Sequence, residues 1–443
     1  MTVSPTPATR RPASASERRA MRVIVAMLTN VQVGAIEVGL PDGRRRVFGD
    51  PGSALRSTIE VHDWRFFKRL LHGASVGVGE SYMEGEWSSR DLVSLIRIMI
   101  ANRRALRAIT PAALLNIAGD QLIHAVRANR IGRAQRNIAA HYDLSNALYR
   151  LFLDDTMTYS AAYFDAPSAS LEDAQEAKYQ RLADKLRLTG DCHVLEIGCG
   201  WGGFASFAAR TYGCRVTGIT LSQQQAGYAR ERMRTEGLDH LVDIEVVDYR
   251  EVRGSYDRIV SIEMLEAVGH RYLATYFRTV DRLLAPNGLV AVQVITIPEQ
   301  RYDSYRRRPD FIQRYIFPGG HLPSLEALAG TMGSSSELYV DNVENIGMHY
   351  AETLHRWRTR FLANADAVRE LGFDARFIRM WEFYLAYCEA AFLARYINDL
   401  QLVLTRPMNA TLGTQPYGHH LVPVSEADLP PRRLEVVDGE GVA

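Results

Sequence analysis

The segment from Asp191 to Gly203, DCHVLEIGCGWGG, constrains the fold of this chain more than any other. A short apolar run stops there at four glycines, Gly198, Gly200, Gly202 and Gly203. Because glycine has no Cβ, the backbone can turn tightly there and approach a ligand closely before a helix begins. The segment therefore predicts a strand, a nucleotide-cofactor loop and a helix.

The glycine spacing alone fits two classes of cofactor. It satisfies the G-x-G-x-x-G pattern of dinucleotide-binding folds, with Gly203 as the third glycine. A dehydrogenase, however, should end its second strand in an acidic residue that binds a ribose hydroxyl. Here the second predicted strand, 214–220, ends in Thr220 and continues into LSQQQ. The dinucleotide interpretation is therefore the weaker one.

Segments with strand and helix patterns alternate from residue 141 onward. The predicted strands are 193–197, 214–220, 243–247, 257–262 and 289–296, and the predicted helices include 222–236 and 272–284. This alternation predicts an α/β fold, a doubly wound and mostly parallel sheet with helices on both faces. In such a fold the ligand binds at the carboxyl ends of the strands.

Residues 298–335 interrupt this pattern. The segment is irregular and rich in aromatic residues and arginine, as in PEQRYDSYRRRPDFIQRYIFPGGHLPS. A loop of this kind over a cofactor cleft is either a substrate lid or a packing element. We predict a lid and leave the second alternative open.

The N-terminal part is predicted to be a separate α+β unit. Alternating runs and turn signals at 22–61 favour β-hairpins, and helical spacing follows near 63–71 and 90–107. The start of the chain has no apolar core before Met21, so it predicts a disordered tail and no signal peptide. The predicted boundaries are a tail at 1–21, the α+β domain at 22–120, a basic linker at 121–140, the larger domain at 141–425 and a second tail at 426–443.

Charge is unevenly distributed along the chain. The net charge is +1, but the first 140 residues carry about twice as many basic as acidic residues, and the remainder has an acidic excess. Arg127, Arg130, Arg133 and Arg136 would form a basic stripe if the linker is helical. We expect the stripe to lie on anionic phospholipid headgroups or to pair with acidic residues, with a merely solvated surface as the alternative. Aromatic residues do not alternate with these arginines, so no nucleic acid is expected.

The composition favours a cytoplasmic globular protein. Of the 443 residues, 47% are apolar and 23% are charged, which suffices for a sizeable core. The four cysteines show no C-x-x-C or His/Cys ligand spacing, so neither a disulfide framework nor a metal site is predicted. The apolar run 289–297 is far shorter than the roughly 20 residues that a membrane-spanning helix needs.

Three motifs together carry a family resemblance. EIGCGWGG at 196–203, GITLSQQQ at 218–225 and DRIVSIEMLEAVGH at 257–270 resemble the S-adenosylmethionine-dependent methyltransferases of the cyclopropane fatty acid synthase family. The resemblance extends over roughly residues 75–405 and implies a seven-stranded Rossmann-like methyltransferase fold. GESYMEGEWS at 79–88 resembles the N-terminal lipid-handling domain of full-length members. A domain that only stabilises the catalytic unit is the alternative.

The resemblance assigns S-adenosylmethionine to a set of positions on four segments. The glycine loop, with Gly198, Cys199 and Gly200, is expected beneath the methionine moiety, and the end of the second strand, with Thr220, Leu221 and Gln225, at the ribose. The end of the third strand, with Asp248 and Tyr249, is expected at adenine. A further segment, with Tyr159 and Ser160, is expected to close over the cofactor. For Gln225 and Tyr249, an ordinary polar helix start or strand end is the alternative.

Methylation of an alkene requires alignment, exclusion of water, stabilisation of a cation and a base. In this family a bound bicarbonate is thought to be the base, held by a glutamate, a tyrosine, a histidine and backbone groups near a cysteine. By motif these are Glu266 and Tyr350, with Gln293 replacing the histidine and Ala161 replacing the cysteine. Glutamine keeps hydrogen bonding but cannot take a proton, so the anion site is expected to persist while the proton route changes. The alternatives are an exposed carboxylate for Glu266 and a core aromatic for Tyr350.

Three further segments resemble the actinobacterial branch that leads to tuberculostearic acid. They are QVITIP at 293–298, FIQRYIFPGG at 311–320 and HYAETLHRWR at 349–358. This implies a 10-methylene product on an oleoyl-type phospholipid chain, a partner reductase, a homodimer, and peripheral association with the inner face of the cell membrane. The alternatives are cyclopropane formation on the same chain, methylation of a soluble small molecule, and a lipid-binding protein without catalysis.

Overall fold

The computed structural model describes residues 11–107, 145–307 and 310–412. The predicted basic linker at 121–140 and the predicted tail at 426–443 lie outside the described residues. The N-terminal strands form a four-stranded sheet in the order β2-β1-β3-β4, with β1 parallel to β3 and antiparallel to β2. These strands are β1 (Ala35–Gly39), β2 (Arg45–Gly49), β3 (Arg56–Val61) and β4 (Trp87–Ser88). The helices of this unit are α1 (Ala15–Leu28), α2 (Arg65–Met83), α3 (Leu92–Ala101) and α4 (Arg103–Arg107).

Helix α1 corrects two predictions. Residues 15–21 were expected in a disordered tail and the run MRVIVAML in a hairpin, yet both belong to this helix. A capping box starts it, because the Ser14 side chain accepts from Glu17 N while the Glu17 carboxylate accepts from Ser14 N. Ala20, Ile24 and Leu28 then bury one face at helical spacing. The apolar run was therefore the buried face of a helix and not a strand.

The larger region contains a seven-stranded sheet in the order β10-β11-β9-β8-β5-β6-β7. All pairs from β9 to β7 are parallel, whereas β11 runs antiparallel to both β9 and β10. This confirms the predicted α/β, mostly parallel Rossmann-like architecture. The strands are β5 (His193–Ile197), β6 (Arg215–Thr220), β7 (Val242–Val246), β8 (Tyr256–Ile262), β9 (Leu284–Thr296), β10 (Tyr339–Asn345) and β11 (Asn398–Thr405).

Helices cover this sheet and extend beyond it. They are α5 (Asn146–Arg150), α6 (Leu171–Leu186), α7 (Gly203–Tyr212), α8 (Gln223–Thr235), α9 (Leu273–Leu283), α10 (Glu299–Tyr305), α11 (Phe311–Tyr315), α12 (Leu325–Ser335), α13 (Gly347–Ala363), α14 (Ala365–Glu370) and α15 (Ala375–Leu393). Short 3₁₀ turns lie at Leu265–Ala267, His270–Tyr272 and Ala410–Leu412. Helix α7 starts directly behind the glycine loop, as the sequence predicts. The segment 298–335, predicted as irregular, contains α10, α11 and α12.

The N-terminal unit shares its core with the larger region. One cluster of buried side chains joins Phe67 and Trp87 of the N-terminal unit to Trp357 and Trp381 of α13 and α15. Arg379 crosses the boundary, since its guanidinium donates to the carbonyls of Tyr82 and Trp87. Among the described residues, no helix is long and apolar enough to cross a membrane.

Candidate active site

Two cavities meet at the carboxyl ends of the parallel strands. The cofactor cavity is lined by the loop after β5, the end of β6 and the segment around residue 159. The apolar cavity is lined by residues of the segment 298–335 and of α15. Tyr159, Glu263 and Ala267 line both cavities. A group bound in one cavity would meet a group bound in the other at these three residues.

The glycine loop leaves room for a ligand in the cofactor cavity. Gly198 and Gly200 have φ angles of 85° and 54°, in the left-handed region that favours glycine. A Cβ on Gly200 would meet no atom within 4 Å, and Gly200 lines the cavity together with Gly198 and Cys199. A side chain at this position would therefore occupy ligand space.

The end of β6 presents polar groups to the same cavity. Thr220, Leu221 and Gln225 all line it. The Thr220 hydroxyl donates to Gln225 Oε1 over 2.9 Å and accepts from Ser222 N over 3.2 Å. These bonds fix the Gln225 side chain at the start of α8. The predicted ribose-binding residues thus lie together beside the cavity, and their contact with a ribose stays a prediction.

The two residues predicted at adenine differ in their surroundings. Tyr249 lines the cofactor cavity, and burial raises the pKa of its phenol to about 12. The carboxylate of Asp248 accepts from Arg250 Nε over 2.8 Å and from Arg250 N over 3.1 Å. Asp248 is not among the described residues that line the cavity. Tyr249 therefore remains the predicted contact, whereas the side chain of Asp248 orders Arg250.

Tyr159 and Ser160 form another wall of the cofactor cavity. The Tyr159 hydroxyl lies 2.8 Å from the Tyr384 hydroxyl. Ser160 Oγ accepts from Lys178 Nζ over 2.8 Å. Burial lowers the pKa of the Lys178 ammonium to about 8, and the negative charge of Glu263 opposes that shift. The segment predicted to close over the cofactor is thus held by a buried cation.

Glu196 also lines the cofactor cavity and was not predicted. Burial raises the pKa of its carboxyl to about 8. Glu196 Oε2 is buried without a hydrogen-bond partner among the described residues. An acid in this environment favours a cationic or donating ligand group, such as the amino group of a methionine moiety. With the open space at Gly200, this makes the cavity fit S-adenosylmethionine.

Glu263 is the carboxylate on which three of the predicted catalytic residues converge. Glu263 Oε1 accepts from Ala161 N over 2.8 Å and from Gln293 Nε2 over 2.8 Å. Glu263 Oε2 accepts from the Tyr350 hydroxyl over 2.7 Å. Three donors on one carboxyl favour its ionised, acceptor-only form. Burial raises the pKa of Glu263, and these three bonds oppose that shift.

The backbone of Glu263 is strained. Its φ is 50°, a left-handed conformation that few residues other than glycine adopt. Glu263 N donates to Gln293 O over 2.8 Å, which ties this turn to the end of β9. Strained backbone of this kind costs of order 1–3 kcal/mol and concentrates at functional sites. It places the Glu263 carboxylate where the two cavities meet.

We predicted that Glu266 shares a site with Ala161, Gln293 and Tyr350. Glu266 lines the apolar cavity together with Tyr350. The carboxylate that accepts hydrogen bonds from all three residues, however, is that of Glu263. Glu266 Oε1 accepts from Ile295 N over 2.5 Å, and Glu266 Oε2 is buried without a hydrogen-bond partner among the described residues. Burial, followed by the charge of Glu263, raises the pKa of Glu266 to about 8. Glu266 is therefore a neutral acid on the wall of the apolar cavity at neutral pH.

Asp399 adds a third buried carboxyl to this group. Asp399 Oδ2 accepts from Gln293 Nε2 over 3.1 Å, so the Gln293 amide contacts both Asp399 and Glu263. Gln293 Oε1 accepts from Gln401 Nε2 over 3.1 Å, which fixes the amide orientation. Burial and the charge of Glu263 raise the pKa of Asp399 well above its ordinary value. Asp399 therefore keeps its proton to higher pH than an ordinary aspartic acid, beside the Glu263 carboxylate.

A bicarbonate ion does not fit the residues present. Its expected donors were the backbone at Ala161, the Tyr350 hydroxyl and the side chain at position 293. All three already donate to Glu263. A carboxylate of the protein therefore occupies the place that was predicted for a bound anion. The EMLEAVG motif contains Glu263 as well as Glu266, but the direction of its side chain depends on a positive φ that the motif does not reveal.

The apolar cavity suits a hydrocarbon chain. Ile295, Ile297, Phe317, Leu354 and Phe392 are among the residues that line it. Ala161 is fully buried and its N–H donates to Glu263, which lines this cavity. The Tyr350 ring stacks on Phe392 with 4.6 Å between centroids. Within the described residues, no cluster of His, Cys, Asp and Glu has the geometry of a metal site.

Similarity to known proteins agrees with this geometry. The sequence pattern of the family described as mycolic acid cyclopropane synthetase matches residues 129–402. A tuberculostearic acid methyltransferase of Mycobacterium tuberculosis is 42% identical over 357 residues, which cover 76% of this chain and 81% of the relative. A cyclopropane-fatty-acyl-phospholipid synthase of Escherichia coli is 38% identical over 351 residues, which cover 79% of this chain and 87% of the relative.

The structure of the mycolic acid cyclopropane synthase CmaA1 in complex with SAH and CTAB is similar in fold. It has a TM-score of 0.58 and 32% sequence identity, and the match covers 61% of this chain and 97% of that one. The chain therefore belongs to the mycolic acid cyclopropane synthetase family, and it is an S-adenosylmethionine-dependent methyltransferase.

Proposed function

We propose that this enzyme methylates the double bond of an oleoyl-type chain of a phospholipid and produces a 10-methylene branch. The observation that carries the proposal is the position of Glu263, which lines both the cofactor cavity and the apolar cavity. Similarity to a tuberculostearic acid methyltransferase supports the choice of product.

The residues of this chain would bind the cofactor and the acyl chain, align the two, and remove a proton from the methylated cation. When bound, S-adenosylmethionine supplies an electrophilic methyl group on a sulfonium sulfur. The glycine loop would hold the methionine moiety, and Glu196 would bind its amino group. The apolar cavity would exclude water and hold the alkene against Tyr159 and Glu263. The negative charge of Glu263 and the nearby aromatic rings would stabilise a carbocation on the acyl chain.

The alkene π pair would form the new bond to the methyl carbon while the bond from that carbon to sulfur breaks and leaves its electron pair on sulfur. A hydride then moves from the methylated carbon to its cationic neighbour. The new methyl group loses a proton to the Glu263 carboxylate, and the C–H pair forms the methylene double bond. Gln293 cannot take this proton, because an amide has no basic site at neutral pH.

Cyclopropane formation is the second candidate. The similarity to the cyclopropane synthase of Escherichia coli favours it. It needs the same cation and the same base, but the methyl group loses its proton without a hydride shift and the ring closes. The two reactions therefore share the methyl transfer, for which the cavities align cofactor and alkene, and they differ in the steps that follow. Glu263 would act as the base in both.

The further partners are proposals that follow from this function. A 10-methylene chain needs a reductase to become a saturated methyl branch. A phospholipid substrate requires contact with a membrane surface, and the basic N-terminal part of the chain supports peripheral association with the inner face of the cell membrane. A homodimer through the N-terminal units is also part of the proposal.

Product analysis tests the function. A host that lacks methylated fatty acids would express this protein and receive methionine with a fully deuterated methyl group. We expect an oleate-derived acid that carries one extra carbon and two deuterium atoms. Proton NMR then separates vinylidene from cyclopropyl hydrogens in unlabelled product. Lipids without any added carbon would contradict the proposal, and a purely cyclopropyl product would favour the second candidate.

A further inference from the structure

Two arginines from different parts of the fold contact one tyrosine ring beside the apolar cavity. The Arg301 guanidinium carbon lies 3.2 Å from the centroid of the Tyr396 ring, and that of Arg103 lies 5.4 Å from it. Arg301 belongs to α10, whereas Arg103 belongs to α4 of the N-terminal unit. Arg301 and Tyr396 line the apolar cavity, and all three residues are half-buried. The contact therefore lies where the wall of the cavity approaches the protein surface.

Each of the two guanidinium groups donates a hydrogen bond to a backbone carbonyl. Arg301 Nη1 donates to the carbonyl of Tyr396 over 2.5 Å, and Arg103 Nη1 donates to that of Ile100 over 3.3 Å. A guanidinium keeps its charge when it packs on an aromatic ring, and its planar fork matches phosphate oxygens. Asp310 lines the same cavity and interacts electrostatically with Arg301. Burial raises the pKa of Asp310, which weakens its competition with an anion.

We propose that Arg301 and Arg103 bind a phosphate group, namely the phosphodiester of the phospholipid whose acyl chain occupies the apolar cavity. This inference rests on the proposed function. The double bond of an oleoyl chain lies midway along it, so the carboxyl half of the chain must extend from Glu263 to the rim of the cavity. The ester and the phosphate then remain at the rim, where the two arginines lie.

This site gives the N-terminal unit a direct role in substrate binding. Arg103 lies near Tyr396 because α3 packs beside α15, whose C-terminal end leads to Tyr396, and α4 follows directly after α3. A phosphate between Arg103 and Arg301 would contact both parts of the protein at once. The lipid would thus be positioned by one arginine of the N-terminal unit and one arginine of the larger region, in addition to the contacts of its acyl chain.

The experiment compares Arg103→Gln and Arg301→Gln with the control Arg104→Gln. Arg104 follows Arg103 on the same helix, is exposed, and its loss changes the net charge equally. Each protein would methylate dioleoylphosphatidylglycerol or dioleoylglycerol in the same neutral detergent micelles. We expect both test variants to raise the KM for the phospholipid about tenfold with little change in kcat. Their KM for dioleoylglycerol and both constants of Arg104→Gln should change less than about twofold.

Other outcomes overturn the proposal. An equal loss in Arg104→Gln would show that only long-range charge matters, and an equal loss on dioleoylglycerol would show a structural role. Arg103→Lys keeps the charge and serves as a second variant if Arg103→Gln unfolds. Inorganic phosphate should raise the KM of the wild type for the phospholipid alone, whereas stimulation of turnover on dioleoylglycerol would assign the site to free phosphate. Wild-type activity without a preference for the phospholipid contradicts this site, whereas no activity on either lipid contradicts the proposed function.

Discussion

The Tyr350 hydroxyl donates a 2.7 Å hydrogen bond to Glu263 Oε2 at the junction of the two cavities. Burial and the charge of Glu263 raise the pKa of Tyr350 well above its ordinary value, so the phenol stays a donor. The bond therefore orients the carboxylate that faces both the cofactor cavity and the apolar cavity.

Tyr350→Phe should lower kcat about ten- to a hundredfold and leave KM and the affinity for S-adenosylmethionine nearly unchanged. The ring stays packed on Phe392, while Glu263 loses one of its donors. Steady-state kinetics with labelled cofactor measures the split between kcat and KM. Tyr315→Phe is the control, because its hydroxyl donates to Glu80 outside both cavities. Equal losses in the two variants would show that Tyr350 does not position Glu263.

Gly200→Val should abolish cofactor binding while the protein remains folded. The valine side chain would enter cavity space, since a Cβ at Gly200 meets no protein atom within 4 Å. Gly237→Val is a matched control, because Gly237 also has a positive φ, 70°, and open surroundings but does not line the cavity. Calorimetry with S-adenosylhomocysteine checks this expectation. A normal binding isotherm for Gly200→Val would refute the role of the loop.

The free energy of unfolding of the wild type should fall, relative to that of Glu266→Gln, as the pH rises from about 4.5 to 8. Burial raises the pKa of Glu266 from its ordinary value of 4.5 to about 8 in the folded state. The folded protein therefore binds more protons than the unfolded chain in this window, and the contribution of Glu266 is lost as the pH passes the folded pKa. Urea unfolding of both proteins across this range measures the difference. A difference that does not change with pH would contradict this electrostatic assignment.

Glu263→Ala should open an anion site at the junction. The variant removes the carboxylate but keeps Ala161 N, the Tyr350 hydroxyl and the Gln293 amide as donors. We expect turnover to fall strongly and to recover in part when bicarbonate or formate is added. Glu263→Gln should show no recovery, because its amide still fills the space. Equal responses of the two variants to added anion would count against a carboxylate-shaped site.

Much of the architecture was predictable, and the exceptions have physical causes. The five central strands are apolar runs bounded by turns, so their pattern identifies them. Strand β11 escaped prediction because Asp399 and Gln401 are buried polar residues inside it, which breaks the apolar run. Strand β10 is largely exposed, so its sequence has the polar composition of a loop. Helix α1 carries a capping box in its sequence, but its apolar run was interpreted as a hairpin.

The site was predictable as a set of residues but not as a geometry. Motif resemblance identified Tyr350, Gln293 and Ala161, and the structure brings their donors together. It could not identify Glu263 as their acceptor, because that depends on the left-handed backbone of Glu263. Lys178 and Asp399 belong to the same charge network, yet α6 and β11 are distant from the motif in sequence. Only the fold brings them close to Glu263.

We propose that Glu263, and not Glu266 or a bound anion, accepts the proton. Single-turnover methyl transfer by Glu263→Gln and Glu266→Gln distinguishes these groups, and the affinity for S-adenosylhomocysteine checks that the cofactor cavity is intact. We predict that Glu263→Gln loses about 10²–10⁴-fold in rate and binds S-adenosylhomocysteine normally, whereas Glu266→Gln stays within about tenfold of the wild type. Near-normal turnover by Glu263→Gln, or an equal loss in Glu266→Gln, would rule out Glu263 as the specific proton acceptor.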